Sequence, residues 1–204
     1  MISQVAYYLK LISTFSVLLP LATGFWYLKK CDFPLKSFIG FLVIGFVTDM
    51  GGWLFYITRN DSANLYLRHF YALFDSLFLF WFLGRLSSNR LVKLLFTRAW
   101  LVIIPFWSLR FFFPSAMSLF GTSSNVFIAF AACFIILRMI EESPSVTGQS
   151  IFWILLGIFF YCFSTYFIMG MLATQLSKIW YTQNLINIST NLIYTIGFMR
   201  VGKR

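Results

Sequence analysis

Apolar residues come in long runs separated by short polar connectors, and this alternation dominates the sequence. The runs cover 11–28, 37–57, 65–84, 91–113, 118–140, 149–172 and 179–199. Each is close to the length of about 20 residues that a helix needs to cross a hydrocarbon core. In lipid the backbone has no water to bond to, so a spanning segment must satisfy its own N–H and C=O groups as a helix or a closed barrel. Runs of this length are read as helices. The predicted fold class is all-α: a polytopic membrane protein whose single domain, residues 1–204, is a bundle of seven transmembrane helices. The connectors are too short to hold a soluble domain, and no internal repeat is visible. Pro20 and Pro105 fall inside runs and are expected to kink them, whereas Pro34, Pro114 and Pro144 mark loops. Lys29 and Lys30 follow the first run where a cleavage site would need small residues, so that run is expected to be a retained first helix.

Composition supports the same class. The chain is 60% hydrophobic and only 11% charged, with a mean hydropathy of +0.81, too little polar surface for a soluble domain of this size. A net charge of +10 raises the question of nucleic acid. The basic residues cluster at the ends of apolar runs rather than along a soluble face, so no nucleic-acid partner is expected. Eleven of the sixteen Lys and Arg residues fall on one side of the predicted bundle, Lys29, Lys30, Arg85, Arg90 and Lys93 among them. The other side has five: Lys10, Arg59, Arg68, Arg110 and Lys178. Cytoplasmic loops carry the excess of positive charge, which places the N-terminus outside and the C-terminus in the cytoplasm of a multi-pass protein of the bacterial inner membrane. Cys31, Cys133 and Cys162 show no CxxC or other ligand spacing, so neither a disulfide nor a metal site is expected, and no cofactor is implied.

The third run departs from its apolar neighbours. It carries Arg68, His69, Tyr71 and Asp75, and ionisable groups at membrane depth are expensive and mark functional sites by default. Arg68, Tyr71 and Asp75 lie at i, i+3 and i+7, on one helix face, with His69 on the neighbouring flank. Other runs have polar stripes too. The second has Gly45, Asp49 and Gly52, the sixth Gly157, Tyr161 and Thr165, and the seventh Asn184, Asn187, Asn191 and Tyr194. In the predicted topology Asp49, Asp75, Tyr161, Thr165, Asn187 and Asn191 fall in one slab, roughly 10–18 Å below the outer face. One interpretation is a ligand-binding site lined by Asp49, Arg68, His69, Tyr71, Asp75, Tyr161, Thr165, Asn184, Asn187 and Asn191. The other is that these groups form hydrogen bonds between helices, each contributing about 0.6 kcal/mol.

Three function classes follow. The expected function is binding or sensing of a small polar or cationic ligand, with a partner carrying the output because the chain has no soluble output domain. The alternative is an intramembrane enzyme on a lipid or other amphiphile, with Asp49 and Asp75 as acid and base and His69 assisting; the sequence supplies no nucleophile for it. A proton- or cation-linked transporter is the third.

Three resemblances bear on this. Microbial rhodopsins also have seven spans and an outside N-terminus, but they attach retinal to a lysine of the seventh helix. The run 179–199 has none, which excludes that likeness. Asp49 and His69 have the separation found in the lysoplasmalogenase-like family, whose H-x-x-Y pattern is departed from here by Tyr71. Asn64, His69, Tyr71 and Asp75 read as N-x-x-x-x-H-x-Y-x-x-x-[ED], and Phe152, Trp153 and Ile154 with Tyr161 read as F-W-I with a later tyrosine. Asn187, Asn191, Tyr194 and Gly197 read as N-x-x-x-N-x-x-Y-x-x-G. These marks resemble small seven-helix membrane proteins of Bacteroidota with no assigned function, which carry Glu more often than Asp at the position of Asp75. The resemblance implies a membrane signalling partner such as a histidine kinase.

Overall fold

A computed structural model describes residues 2–113, 116–143, 145–172 and 179–202. Pro114, Pro144, Lys178, Lys203 and Arg204 lie outside the described residues. The helices are α1 (Ile2–Ser16), α2 (Leu18–Trp26), α3 (Phe33–Ile57), α4 (Asp61–Leu86), α5 (Arg90–Thr97), α6 (Trp100–Ser108), α7 (Ala116–Glu142), α8 (Ser150–Leu172) and α9 (Ile179–Val201). No strand occurs among the described residues, and the fold is all-helical. Five stretches are long and apolar enough to cross a membrane: Tyr7–Trp26, Phe33–Ile57, Arg90–Phe111, Leu119–Glu142 and Ser150–Ile168. α4 and α9 have the length, 26 and 23 residues. They also carry the ionisable and amide side chains picked out above.

Local chemistry explains the breaks. Pro20 has no N–H and its ring crowds the carbonyl four residues back. That residue is Ser16, where α1 ends before α2 resumes at Leu18. The link from α3 to α4 is three residues long. Arg59 turns the chain with φ +54°, and the Asn60 side chain accepts a hydrogen bond from the Ala63 N–H at 3.1 Å, capping α4. The run predicted as one helix over 91–113 is divided by a turn at Arg98 and Ala99. This break differs from the expected one, because Pro105 stays inside α6. At the turn the Thr97 hydroxyl bonds back to the Lys93 carbonyl at 2.8 Å, an alternative to continued helix that hydroxyl side chains offer.

The described residues form two compact units, one of residues 1–39 and 125–204, the other of residues 40–124. In the first, α9 is the centre and packs on α8, α2 and α1. Glycines bring α8 and α9 together. A Cβ on Gly157 would clash with the Cε1 and Cδ1 ring carbons of Tyr194. One on Gly197 would stand 3.0 Å from Ile154 and 3.2 Å from Trp153. The Ser150 hydroxyl donates to the Gly197 carbonyl at 2.6 Å. In the second unit α4 is the centre, with α5 and α6 packed on it. Its core cluster is Ile103, Trp107 and Phe120, against which Ala72, Leu73, Leu77 and Phe80 of α4 pack.

Candidate functional site

In the second unit, the side chains of α4 divide by azimuth. Successive residues rotate by about 100°, so positions 71, 74 and 78 share one side while 69, 73, 77 and 80 share the opposite one. The first side meets α3. Phe78 stacks on Phe41 with ring centroids 4.5 Å apart and planes 6° from parallel, and Phe74 stacks on Phe41 at 6.0 Å. One turn earlier α3 offers Gly45 instead of a side chain. A Cβ there would lie 2.9 Å from the Tyr71 hydroxyl oxygen, so glycine is what admits the phenol between the helices. Gly52 faces Asn64 less tightly: a Cβ there would lie 3.5 Å from the amide oxygen, an ordinary van der Waals contact.

Asp75 follows Tyr71 by one turn and shares this side. It is half-buried, and among the described residues no hydrogen-bond donor or cation pairs with its carboxylate. Tyr71 is half-buried, and Asp49 and Arg68 are exposed. The α3-facing side of α4 thus presents a phenol and an acid close together, with Arg68 one turn before Tyr71.

His69 is on the other side. It is half-buried, and its backbone carbonyl accepts a hydrogen bond from the Trp107 indole N–H of α6 at 3.0 Å. Arg68 and Arg110 both act electrostatically on its imidazole. The helix that carries Arg68, His69, Tyr71 and Asp75 therefore points them in two directions, toward α3 and toward α6.

The remaining sequence candidates belong to the first unit, where Asn191 and Thr165 bond across helices and Asn187 bonds within α9. Asn191 donates to the Ser16 hydroxyl at 2.7 Å, tying α9 to the end of α1, and Ser16 donates to the Ser13 carbonyl at 2.6 Å. The Gln183 amide donates to Asn187 at 3.2 Å and, more weakly, to Thr165 of α8 at 3.4 Å. Thr165 is buried, while Tyr161, Asn184, Asn187 and Asn191 are half-buried. For Asn191 and Thr165 the interhelical bonds weighed from the sequence are those the structure makes.

Sequence reasoning counted Arg110 only as one positive charge among five. Its side chain is in fact buried, 8% exposed, with the guanidinium carbon 4.0 Å from the Trp107 ring centroid, 4.6 Å from Phe111 and 5.5 Å from Phe70. The available signal was the i, i+3 spacing of Trp107 and Arg110, which places a cation over an indole on a helical turn.

Comparison with family models, curated proteins and solved structures finds no match to this chain.

Proposed function

We propose that this is an integral membrane protein of seven spans, N-terminus outside, that binds or senses a small polar or cationic ligand at the α3-facing side of α4 and passes the change to a membrane partner. Asp75 carries this reading: it is a half-buried acid whose carboxylate is paired with no cation or hydrogen-bond donor among the described residues. Leaving such an acid unpaired in a membrane protein is costly, and a bound cation, amine or proton supplies the missing partner. Tyr71, held against Gly45, adds an orienting hydroxyl. Asp49 and Arg68 flank the site and select among ligands by charge. The resemblance carried by Asn64, His69, Tyr71 and Asp75 agrees with a shared polar site on this helix, and a histidine kinase is the signalling partner it suggests.

A thermal-stability screen tests the proposal. Purified wild type and Asp75→Asn, in detergent, are heated with a set of inorganic cations and small amines. At least one cation or amine is expected to raise the wild-type midpoint and to leave Asp75→Asn unchanged. Equal responses of the two proteins to every compound would refute the assignment. Orientation is checked separately by fusing a reporter after Arg204; activity confined to the outside of the cell would contradict the proposed topology.

A further inference from the structure

On the other side of α4, Arg110 raises a separate question. Arginine stays charged in proteins, and a buried charge is ordinarily paired or hydrogen-bonded. Arg110 is 8% exposed. Its Nη1 is buried and has no hydrogen-bond partner, and no carboxylate pairs with it among the described residues. Stacking on Trp107 covers a face of the guanidinium, yet the N–H groups lie in the plane of the group and radiate from its edge. A ring face does not satisfy them.

The neighbours make the missing acceptor an anion. Arg68 and Arg110 both act electrostatically on the His69 imidazole, so this end of α4 lies in the field of two fixed cations. Among the described residues the Tyr66 hydroxyl also acts on Arg110, and no carboxylate does. The position along the helix identifies the type of anion. Arg110 is the penultimate residue of the apolar stretch Arg90–Phe111, which in the proposed seven-span topology is the level where a bilayer changes from acyl chain to headgroup. Phe111 and Phe112, 63% and 76% exposed, follow it in the chain and offer apolar surface to an acyl chain. Arginine's planar fork matches the paired oxygens of a phosphate, and several oxygens on one anion can meet more than one cation.

We propose that Arg110, with Arg68 and His69, forms a binding site for a phosphate-bearing anion at the α4–α6 junction, the phosphate belonging either to a lipid headgroup or to a soluble compound. Its centre, Arg110, belongs to the α6-facing side, and Arg68 is the one residue it shares with the α3-facing side. Trp107 and Phe111 hold the guanidinium in place, Arg110 grips the phosphate through two parallel N–H groups, Arg68 adds positive charge, and the His69 imidazole offers a further N–H.

Two arms separate the sources. Native mass spectrometry measures retention of phosphatidylglycerol against diacylglycerol of the same chains, and a thermal-shift titration in detergent compares sodium phosphate with sodium chloride at matched ionic strength. Wild type is run beside Arg110→Gln and Arg110→Lys. Selective phosphatidylglycerol retention that weakens at least about tenfold in Arg110→Gln and less in Arg110→Lys identifies a lipid. Stabilisation by phosphate that is lost in the same order identifies a soluble ligand. Wild type responding in neither arm overturns the proposal, whether or not the variants fold. So does binding by Arg110→Lys and Arg110→Gln that equals wild type.

Discussion

The packing of α8 on α9 predicts that Gly157→Ala destabilises the protein although alanine is the better helix former. Exchanging glycine for alanine inside a helix gains about 1 kcal/mol in propensity. Here the added Cβ would overlap ring carbons of Tyr194. That ring is 6% exposed and meets Phe38 edge to face at 4.9 Å, so it cannot swing aside freely. Overpacking of this kind costs about 1–3 kcal/mol, and an overlap this deep against a pinned ring belongs near the upper end. The net loss is about 2 kcal/mol, or about 4–8 °C in midpoint for a chain of this length. Gly121 is the control. It lies inside α7, and a Cβ there would meet nothing within 4 Å, so Gly121→Ala should gain up to about 1 kcal/mol. Because ring carbons make the clash, Tyr194→Phe should not relieve it. In a Tyr194→Ala background the cost of Gly157→Ala should largely vanish, a non-additivity characteristic of neighbours in contact. Thermal unfolding in detergent reads all four variants. A Gly157→Ala protein at least as stable as Gly121→Ala would refute the close approach of the two helices.

Other predictions follow from single contacts. Asn191→Ala loses the bond to Ser16 and should cost about 1 kcal/mol; a double-mutant cycle with Ser16→Ala is expected to show coupling of about 0.6 kcal/mol, and zero coupling would show that the bond contributes nothing. Arg59 occupies left-handed backbone, so Arg59→Val should destabilise by about 1–2 kcal/mol whereas Arg59→Gly is tolerated, both read by thermal unfolding. Cys31, in the connector between the first two apolar stretches, is buried, and burial foremost, then the Asp32 carboxylate, pushes its thiol above the ordinary range while Lys36 opposes the rise. Maleimide labelling in the folded protein should accordingly be slow at neutral pH and accelerate in Asp32→Asn. The neutral thiol is the form favoured by folding. Its contribution is complete below the unfolded thiol's pKa and is lost as pH rises through the higher folded value, so stability should fall with alkaline pH less in Cys31→Ala than in wild type.

Much of the helical architecture was legible because lipid imposes one rule on every spanning segment. Apolar length alone located the helices, and Pro20 located the break after Ser16. The value of Gly45 and Gly157 was legible too, since small residues on a stripe of larger ones permit close approach. The direction of approach was less so. The sequence puts Arg68, Tyr71 and Asp75 on one face and His69 on the neighbouring flank, all as linings of one site, yet the Trp107 indole bonds to the His69 carbonyl while Tyr71 enters the gap at Gly45. Helical period separates these sides but does not say which neighbour each will meet. The turn at Arg98 and Ala99 was hidden by unbroken hydropathy, and Thr97, which bonds back to Lys93, is a weak local signal. Arg110 was missed for a related reason. Hydropathy assigns arginine to the water side of a run, and only the tertiary arrangement of Phe70, Trp107 and Phe111 makes it a buried cation.

The most direct test of the proposed ligand site is whether water reaches the α3-facing side of α4. In a variant with Cys31, Cys133 and Cys162 replaced, single cysteines are placed at Tyr71, at Asp75 and, as a control, at Val47, an exposed apolar position of α3. Intact cells are then treated with a membrane-impermeant thiol reagent. Labelling at positions 71 and 75 from the outside, absent at 47 and, at position 71 where Asp75 is retained, reduced by the stabilising cation or amine, is the expected result. Positions 71 and 75 remaining as unreactive as 47, in intact and in lysed cells alike, would contradict it and leave Tyr71 and Asp75 as packing between helices.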